Sequence, residues 1–467
     1  MGASASGAGV FTDSALRDLS RRVHGVRRRF GLNNAIGIHI EDLLTGEPLL
    51  GHNADRRYVP ASGMKLPVMA ACIHYLGPSF RFATDLLVDA PPTDAGVIEG
   101  PVTVVGSGDP SITRHDLEFV ARSLAAYGIT RIEGDLILDD SCFEPQETDR
   151  ELVRRRLRFR EPIQSGLGYM WNRVEIAGVP GNGNRPDIRD EGYGYYQLRN
   201  RMVLRNSARP YILVRRGRGR TATVEGRILR GGAERVARFT ATEPALYFGH
   251  ALRGKLAEQG VTTAGEPRRL QPDDTRPELL LYRHQSAPMS QVVEALGKYS
   301  NNWSSEQLFF ALGGLRWGGP ATAERGSRVI EEYLVGLGFR ASEFRIADGS
   351  GLSRDNRLSA RMLAAVVRDL YAQPDLRDDF LCSLAVSGVD GTLARRMWGS
   401  TTLGRVIAKT GSLSGVSSLS GVAFPAEPGG RPVGFSVITN GLRNQWAGDQ
   451  VENEIAGQLV RWSGAAT

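Results

Sequence analysis

The chain has 467 residues, of which 41% are hydrophobic, and its 58 Lys plus Arg against 51 Asp plus Glu give a net charge of +7. This length and composition predict a globular protein of two or three domains, and the lack of an apolar run of about 18 residues excludes a transmembrane segment. Three scattered cysteines and seven scattered histidines form no disulfide framework or zinc motif, so no metal and no cofactor is expected.

The first 82 residues predict a helix, a strand and a second helix in that order. Apolar residues recur at helical spacing over residues 13–31, with Asp13 or Ser14 placed to cap the helix, and residues 35–40 are typical of a strand. A second apolar helical stretch follows Ser62. Ser62 is therefore expected at or just inside a helix N-terminus, where backbone N–H groups favour developing negative charge.

The sequence pattern of residues 83–285 is typical of β-structure. Short strands alternate with Gly, Pro and Asp turns, whereas residues 165–200, rich in Gly, Tyr and Asn, look like a loop. We expect an inserted, mostly β region here, formed by two subdomains. Residues 1–82 and 286–467 would then form one catalytic domain that the insert interrupts.

Helical spacing returns after the insert and gives way to strands. The predicted helices cover residues 289–297, 304–312, 323–336 and 359–371. Two strands follow, one running from 405 through 424 and one at 433–439, and a closing helix covers 446–462. Helices at both ends around an antiparallel sheet predict an α+β fold.

Arginine runs at residues 27–29, 154–156 and 215–220 are the most basic parts of the chain. They could contact nucleic acid or an anionic cell-envelope polymer, or they could form a solvated surface. No aromatic-interleaved recognition motif accompanies them, so no nucleic-acid partner is expected.

Only four of the basic residues are lysines, namely Lys65, Lys255, Lys298 and Lys409. Chemistry that needs an amine able to lose its proton requires lysine, because guanidinium stays charged at any working pH. Lys65 follows Ser62 by three residues, so the two share a helix face, and burial beside another cation would lower the lysine pKa. A neutral Lys65 could then take the Ser62 hydroxyl proton. The same spacing also arises in a helix that begins with serine and carries a surface lysine.

A second triplet, Ser300-Asn301-Asn302, supplies another hydroxyl and an amide. The Ser300 hydroxyl could shuttle a proton, and the Asn302 amide could bind a substrate carbonyl. Taken alone, this triplet is common in turns and helix caps.

A third triplet, Lys409-Thr410-Gly411, lies on a predicted strand. Lys409 could lend positive charge, Thr410 could hold a carboxylate, and Gly411 would let a substrate lie against the strand. The Ser412 N–H could pair with the Ser62 N–H as an oxyanion hole. A strand end with a tight turn is the simpler interpretation of this triplet by itself.

The order of these motifs, SxxK, then SxN, then KTG, resembles the penicillin-binding protein and serine β-lactamase superfamily. With its long interval between Ser62 and Ser300, the chain resembles the D-alanyl-D-alanine carboxypeptidase/endopeptidase family. These class C low-molecular-mass penicillin-binding proteins carry inserted domains between the first two motifs. Further segments similar to that family are residues 106–110, Glu306, residues 348–354 and residues 390–393.

This resemblance implies a transpeptidase-type domain and a serine DD-peptidase that β-lactams acylate. The residues it assigns to acylation are Ser62, Lys65, Ser300, Asn302 and Lys409. It places Arg354, Asp139 and Phe143 near the diamino-acid side chain of the substrate. Two departures are Asn301, where aspartate is commoner, and Ser414, which replaces a longer polar residue of some members.

The implied partners are peptidoglycan stem peptides and β-lactam inhibitors, and the implied location is periplasmic or extracytoplasmic. No export signal is visible at the start of the chain. The oligomeric state is open and allows a homodimer. Two alternatives to hydrolysis stay open at this point: transfer of the acyl group to an amine by a transpeptidase or peptide cyclase, and a non-catalytic peptide-binding scaffold.

Overall fold

A computed structural model describes residues 11–144, 163–427 and 430–462, so the arginine run at 154–156 lies outside the described residues. The described residues divide into two compact units. The first unit takes in the described parts of Met1–Phe80, Pro288–Trp317 and Ala323–Thr467, and the second those of Arg81–Ala287 and Gly318–Thr322. The segment 318–322, which we assigned to the catalytic domain, therefore belongs to the second unit.

The helices and strands are numbered along the chain. The α-helices are α1 (Asp13–Arg29), α2 (Lys65–Leu76), α3 (Arg114–Ala126), α4 (Pro244–Glu258), α5 (Met289–Tyr299), α6 (Asn302–Trp317), α7 (Ala323–Gly336), α8 (Ala360–Ala372), α9 (Pro374–Ser383) and α10 (Gln445–Arg461). The strands of the first unit are β1 (Ile36–Asp42), β2 (Pro48–His52), β17 (Ala385–Val386), β18 (Val406–Leu413), β19 (Val416–Ala423) and β20 (Val433–Asn440).

The strands of the second unit are β3 (Ala83–Val88), β4 (Val97–Ile98), β5 (Val102–Val105), β6 (Arg131–Ile132), β7 (Leu136–Asp139), β8 (Arg173–Val179), β9 (Asp187–Asp190), β10 (Gln197–Arg205), β11 (Tyr211–Arg216), β12 (Thr221–Leu229), β13 (Arg235–Thr240), β14 (Thr262–Thr263), β15 (Pro267–Arg269) and β16 (Leu279–Gln285).

The first unit is built on a six-stranded antiparallel sheet with the order β17-β18-β19-β20-β1-β2. Strand β1 pairs with β20 from Ile36 opposite Thr439 to Asp42 opposite Val433, so the two ends of the sequence meet in one sheet. Helices α1 and α10 bury their apolar side chains in a common core with this sheet, and α8 packs on β1, β19 and β20. This arrangement confirms the predicted α+β fold.

The second unit combines a five-stranded sheet, of order β15-β7-β5-β3-β16, with three sheets of three strands. Helices α3 and α4 share one apolar core with these sheets. The described residues of this unit are thus mainly β, as the composition predicted.

The prediction of a loop at residues 165–200 is wrong. Strands β8 and β9 and the start of β10 lie there. The apolar pattern was hidden because tyrosines supply much of the buried area: Tyr169, Tyr195 and Tyr196 are almost fully buried in the core of the second unit.

Two boundaries also differ from the predictions. The single strand expected over 405–424 is the hairpin β18–β19, which turns at Ser414 and Gly415. Gly415 has φ of 76°, a conformation that a tight hairpin turn requires and that glycine adopts without strain. Helix α1 is capped by Thr12, whose hydroxyl accepts the Ala15 N–H at 3.2 Å, rather than by the two residues that follow it.

Candidate active site

Ser62 lies in a turn of 3-10 helix, Ala61–Met64, that leads directly into α2. The residue before it, Ala61, has φ of 49°, a left-handed conformation that is rare for alanine. Ser62 is half-buried, and its Oγ lies 2.9 Å from Nζ of Lys65, the first residue of α2. The predicted contact between the serine and the lysine is therefore present, although Ser62 lies in the 3-10 turn before the α-helix and not in the helix itself.

Lys65 is fully buried and surrounded by oxygen atoms. Its Nζ lies 2.9 Å from Oδ1 of Asn302 and also contacts the main-chain carbonyl of Ser350. Burial lowers the pKa of Lys65 to about 7, and the negative charges of Asp348 and Glu306 partly offset this shift. Near neutral pH a large fraction of the amine is therefore uncharged and able to accept a proton.

The Ser300 triplet is both a helix cap and a part of this site. Ser300 ends α5 in the left-handed conformation, with φ of 57°. Oδ1 of Asn301 accepts the Ser304 N–H at 3.1 Å and so caps α6, while Asn302 begins α6 with its side chain toward Lys65. Because Asn and Asp cap helices about equally well, asparagine in the middle of the triplet leaves this geometry intact.

Lys409 is the second buried amine of the site. It lies on β18, is fully buried, and places Nζ 2.8 Å from Ser300 Oγ and 2.8 Å from the Thr410 carbonyl. Burial, and secondly the charge of Lys65, hold the pKa of Lys409 well below its usual range. The three motifs thus converge: Lys65 reaches Ser62 and Asn302, and Lys409 reaches Ser300.

Strand β18 lies directly against the turn that carries Ser62. A Cβ added to Gly411 would stand 2.8 Å from the Gly63 nitrogen and 2.9 Å from the Pro60 carbonyl, so this close approach requires glycine. Ser412 follows on the same strand, and its hydroxyl lies 3.0 Å from the Gln445 side-chain amide. The oxyanion hole between the two serine N–H groups stays a prediction.

The remaining candidates of the first unit lie at the edge of this cluster. Thr410 is half-buried, and its hydroxyl lies 2.8 Å from that of Thr392. Arg354 is exposed and donates to the Ser414 carbonyl at 2.5 Å, beside the β18–β19 turn. Their contacts with a substrate stay predictions.

Asp139 and Phe143 belong to the second unit. Asp139 ends β7, is buried, accepts the Ser141 N–H at 3.0 Å and lies 3.5 Å from the Arg276 guanidinium. Phe143 is buried and its backbone pairs with Ala321. Their role beside the substrate side chain likewise stays a prediction.

The sequence did not show how the Ser350 carbonyl, the third group in contact with the Lys65 amine, is held in place. Glu306 accepts the N–H groups of Gly349 and Ser350, each at 3.0 Å, and thereby fixes the peptide whose carbonyl contacts Lys65. The family resemblance pointed to these residues, but their contact with the amine depends on a loop packed against α6, which spacing alone does not show.

The other two lysines are structural. Lys298 lies 2.5 Å from Asp390 and donates to the Leu384 carbonyl at 3.1 Å, which ties the end of α5 to a neighbouring turn. Lys255 forms an ion pair with Glu258 at 2.8 Å. Two of the four lysines therefore belong to the candidate active site, and the other two do not.

Comparison with known proteins decides the family of this chain. The sequence profile of the D-Ala-D-Ala carboxypeptidase 3 (S13) family matches residues 30–465. The chain belongs to this family. This S13-family protein is 31% identical over 473 residues to the D-alanyl-D-alanine carboxypeptidase of Actinomadura sp. (strain R39), covering 96% of this chain and 86% of the relative. It is 25% identical over 432 residues to the D-alanyl-D-alanine carboxypeptidase DacB of Haemophilus influenzae, covering 87% and 85%.

Solved structures share the fold. The crystal structure of penicillin-binding protein 4 from Haemophilus influenzae superposes with a TM-score of 0.75 at 24% identity, covering 94% of this chain and 99% of the other. A complex of that protein with a β-lactam superposes with a TM-score of 0.72 at 23% identity over the same shares. The predicted family, fold and enzyme class are confirmed: this is a serine DD-peptidase of the carboxypeptidase type. Within the described ranges, no helix is both long and apolar enough to cross a bilayer.

Proposed function

We propose that this enzyme removes the terminal D-alanine from peptidoglycan stem peptides through an acyl-enzyme on Ser62. The observation that carries this proposal is the 2.9 Å contact between Ser62 Oγ and a fully buried Lys65 amine whose pKa is lowered to about 7. A serine hydroxyl becomes a useful nucleophile only when such a base lies within hydrogen-bond reach.

The first half of the reaction forms the acyl-enzyme. Ser62 Oγ attacks the carbonyl of the D-Ala-D-Ala bond and passes its proton to Lys65, while the Ser62 and Ser412 N–H groups stabilise the oxyanion. Ser300, held by Lys409, then protonates the leaving amine as the C–N bond breaks and D-alanine departs. A proton relayed from the protonated Lys65 restores the Ser300 hydroxyl and balances the step.

The second half releases the peptide. Water attacks the Ser62 ester and gives its proton to the neutral Lys65, and the Ser62 oxygen leaves with a proton, so that the enzyme returns to its starting state. β-Lactams enter by the same attack, because their amide carbonyl meets the same nucleophile. Ring opening leaves the acyl group attached to Ser62.

The proposed substrate contacts use the groups around this site. Strand β17 pairs with β18 at Ile407 and Ala408, so the edge of β18 from Lys409 onward would take an extended peptide beside Gly411, and Lys409 with the Thr410 hydroxyl would hold the terminal carboxylate. The Asn302 amide would bind a substrate carbonyl, and Arg354, Asp139 and Phe143 would face the diamino-acid side chain. We infer an extracytoplasmic location, periplasmic where an outer membrane is present, because the proposed substrate is part of the cell wall.

The experiment follows D-alanine release from an N-acylated peptide that ends in D-Ala-D-Ala. Wild type should release D-alanine, whereas Ser62→Ala and Lys65→Arg should release at least about a thousandfold less. A matched peptide that ends in D-Ala-L-Ala should be a poor substrate. Release by Ser62→Ala at the wild-type rate would refute the proposal. Product masses with and without an added D-amino acid show whether an amine competes with water for the acyl group.

A further inference from the structure

The outer face of the sheet β10-β12-β11 in the second unit is unusually basic. Strand β12 is central, with β10 parallel on one side and β11 antiparallel on the other. Because side chains alternate between the two faces of a sheet, Met202, Val224 and Ile228 enter the apolar core. Their neighbours along each strand point outward.

Five exposed arginines lie among the outward positions, next to neutral side chains such as Thr223. We call this surface the arginine face, and its arginines are Arg199, Arg201, Arg205, Arg215 and Arg227. Arg199 and Arg215 flank Thr223 in one cross-strand row, about 10 Å apart. Arg199 and Arg201 follow each other along β10 at about 7 Å. The guanidinium groups are therefore repeated both along and across the strands.

Little negative charge balances this face. Within β10, β11 and β12, all of whose residues are described, Glu225 is the one outward carboxylate, and it pairs with Arg215 at 2.9 Å. Arg227 packs over the Tyr211 ring, 5.1 Å from its centroid. Arg199 and Arg201 form no ion pair with any described residue.

The face is also concave. A cavity of about 630 Å³ lies over it, and the side chains around the cavity include Gln197, Arg199, Arg201, Arg215, Thr221 and Thr223. These groups offer guanidinium, amide and hydroxyl donors. The planar fork of arginine matches the oxygen atoms of a phosphate in a bidentate way.

We propose that the arginine face binds a linear polymer of polyol phosphate units. Its regularly repeated phosphodiester charges complement guanidinium groups repeated along and across the strands. A concave floor suits a flexible chain better than a flat bilayer. Single-stranded nucleic acid is disfavoured because Tyr211 is the one aromatic residue on this face, whereas successive bases need successive rings on which to stack.

The test measures binding of fluorescently labelled poly(glycerol phosphate) to the full-length protein by anisotropy. The double variant Arg199→Gln/Arg201→Gln should bind about tenfold or more weakly than wild type. The slope of log binding constant against log salt concentration should be smaller in magnitude by roughly one to two. The matched control is Arg17→Gln/Arg28→Gln on α1, which removes the same charge from exposed arginines of the first unit and should change affinity less than about twofold.

Parallel arms use anionic phospholipid vesicles and a single-stranded DNA of equal charge. The proposal is supported if vesicles and DNA both bind wild type more weakly than the polymer does. It also requires that Arg199→Gln/Arg201→Gln, but not Arg17→Gln/Arg28→Gln, loses affinity for the polymer. It is overturned if wild type does not bind the polymer, if the two double variants lose affinity equally, or if vesicles or DNA bind as tightly. Unchanged β-lactam labelling and unfolding midpoints show that each variant is folded.

Discussion

Burial of two amines is the decisive feature of this protein at the residue scale. Lys65 and Lys409 have no exposed surface, and for both, burial is the largest cause of a lowered pKa. An arginine at either position would stay charged. The chain therefore has a lysine at the base of its proposed reaction, where a removable proton is needed, and uses arginine almost everywhere else.

The first prediction concerns pH. Because the neutral form of Lys65 is the base and its pKa is about 7, the rate of acylation by benzylpenicillin should fall as pH drops below about 7 and level off above about 8. Lys65→Arg should be acylated at least about a thousandfold more slowly at every pH. The check is the second-order acylation rate measured between pH 5 and 9. A flat wild-type profile would show that this amine is not the base.

The second prediction concerns Glu306. Its charge raises the pKa of Lys65, so Glu306→Gln should move the midpoint of the acylation profile to lower pH while one side-chain oxygen still accepts the backbone N–H groups. Glu306→Ala should also slow acylation about tenfold or more on the high-pH plateau, because the Ser350 carbonyl loses its support. Glu324→Gln, an exposed site on α7, is the matched control for charge. A midpoint that stays in place or rises in Glu306→Gln would contradict this electrostatic role.

Close approach of β18 to the Ser62 turn is the critical contact at the scale of elements. Gly411→Ala should separate the two, because its Cβ would stand 2.2 Å from Ser418 Oγ and under 3.0 Å from two backbone atoms. We predict a loss of about 1–3 kcal/mol in the free energy of unfolding and a strong loss of penicillin acylation.

The matched control for this substitution is Gly25→Ala. Gly25 lies inside α1 with nothing within 4 Å of an added Cβ, so this change should stabilise the protein by roughly 0.5–1 kcal/mol and leave acylation unchanged. Thermal unfolding and penicillin labelling of both variants check the pair. If the two variants had the same unfolding free energy and the same acylation, the close approach of β18 to the Ser62 turn would not be needed for either property.

Periodicity predicted most helices of the catalytic unit but fewer of its strands. The helical spacing after the insert corresponds to α5, α6, α7 and α8. In α5 and α7 one apolar stripe is buried, so the 3.6-residue period survives in the sequence. Strands β19 and β20 are buried along almost their whole length, and β18 mixes buried and partly exposed positions without a regular period of two. They show no alternation, so the hairpin turn was missed.

At the scale of the whole molecule, the site joins segments that local sequence cannot bring together. Pairing of β1 with β20 joins the first two strands to the last four in one open sheet, and the Ser62 turn contacts the start of α6 and β18. Serine–lysine spacing predicted the first contact from helix geometry. The contact of Lys409 with Ser300 followed only from motif order and family resemblance, because tertiary packing, not local propensity, sets it.

The most direct test of the central claim is the site of penicillin attachment. Intact protein incubated with benzylpenicillin should gain the mass of one penicilloyl group, and peptide mapping should place it on Ser62. Ser62→Ala should gain none, while Ser350→Ala, a neighbouring serine whose carbonyl rather than hydroxyl contacts Lys65, should still be labelled. Equal labelling of wild type and Ser62→Ala, or an adduct on another residue, would contradict this account.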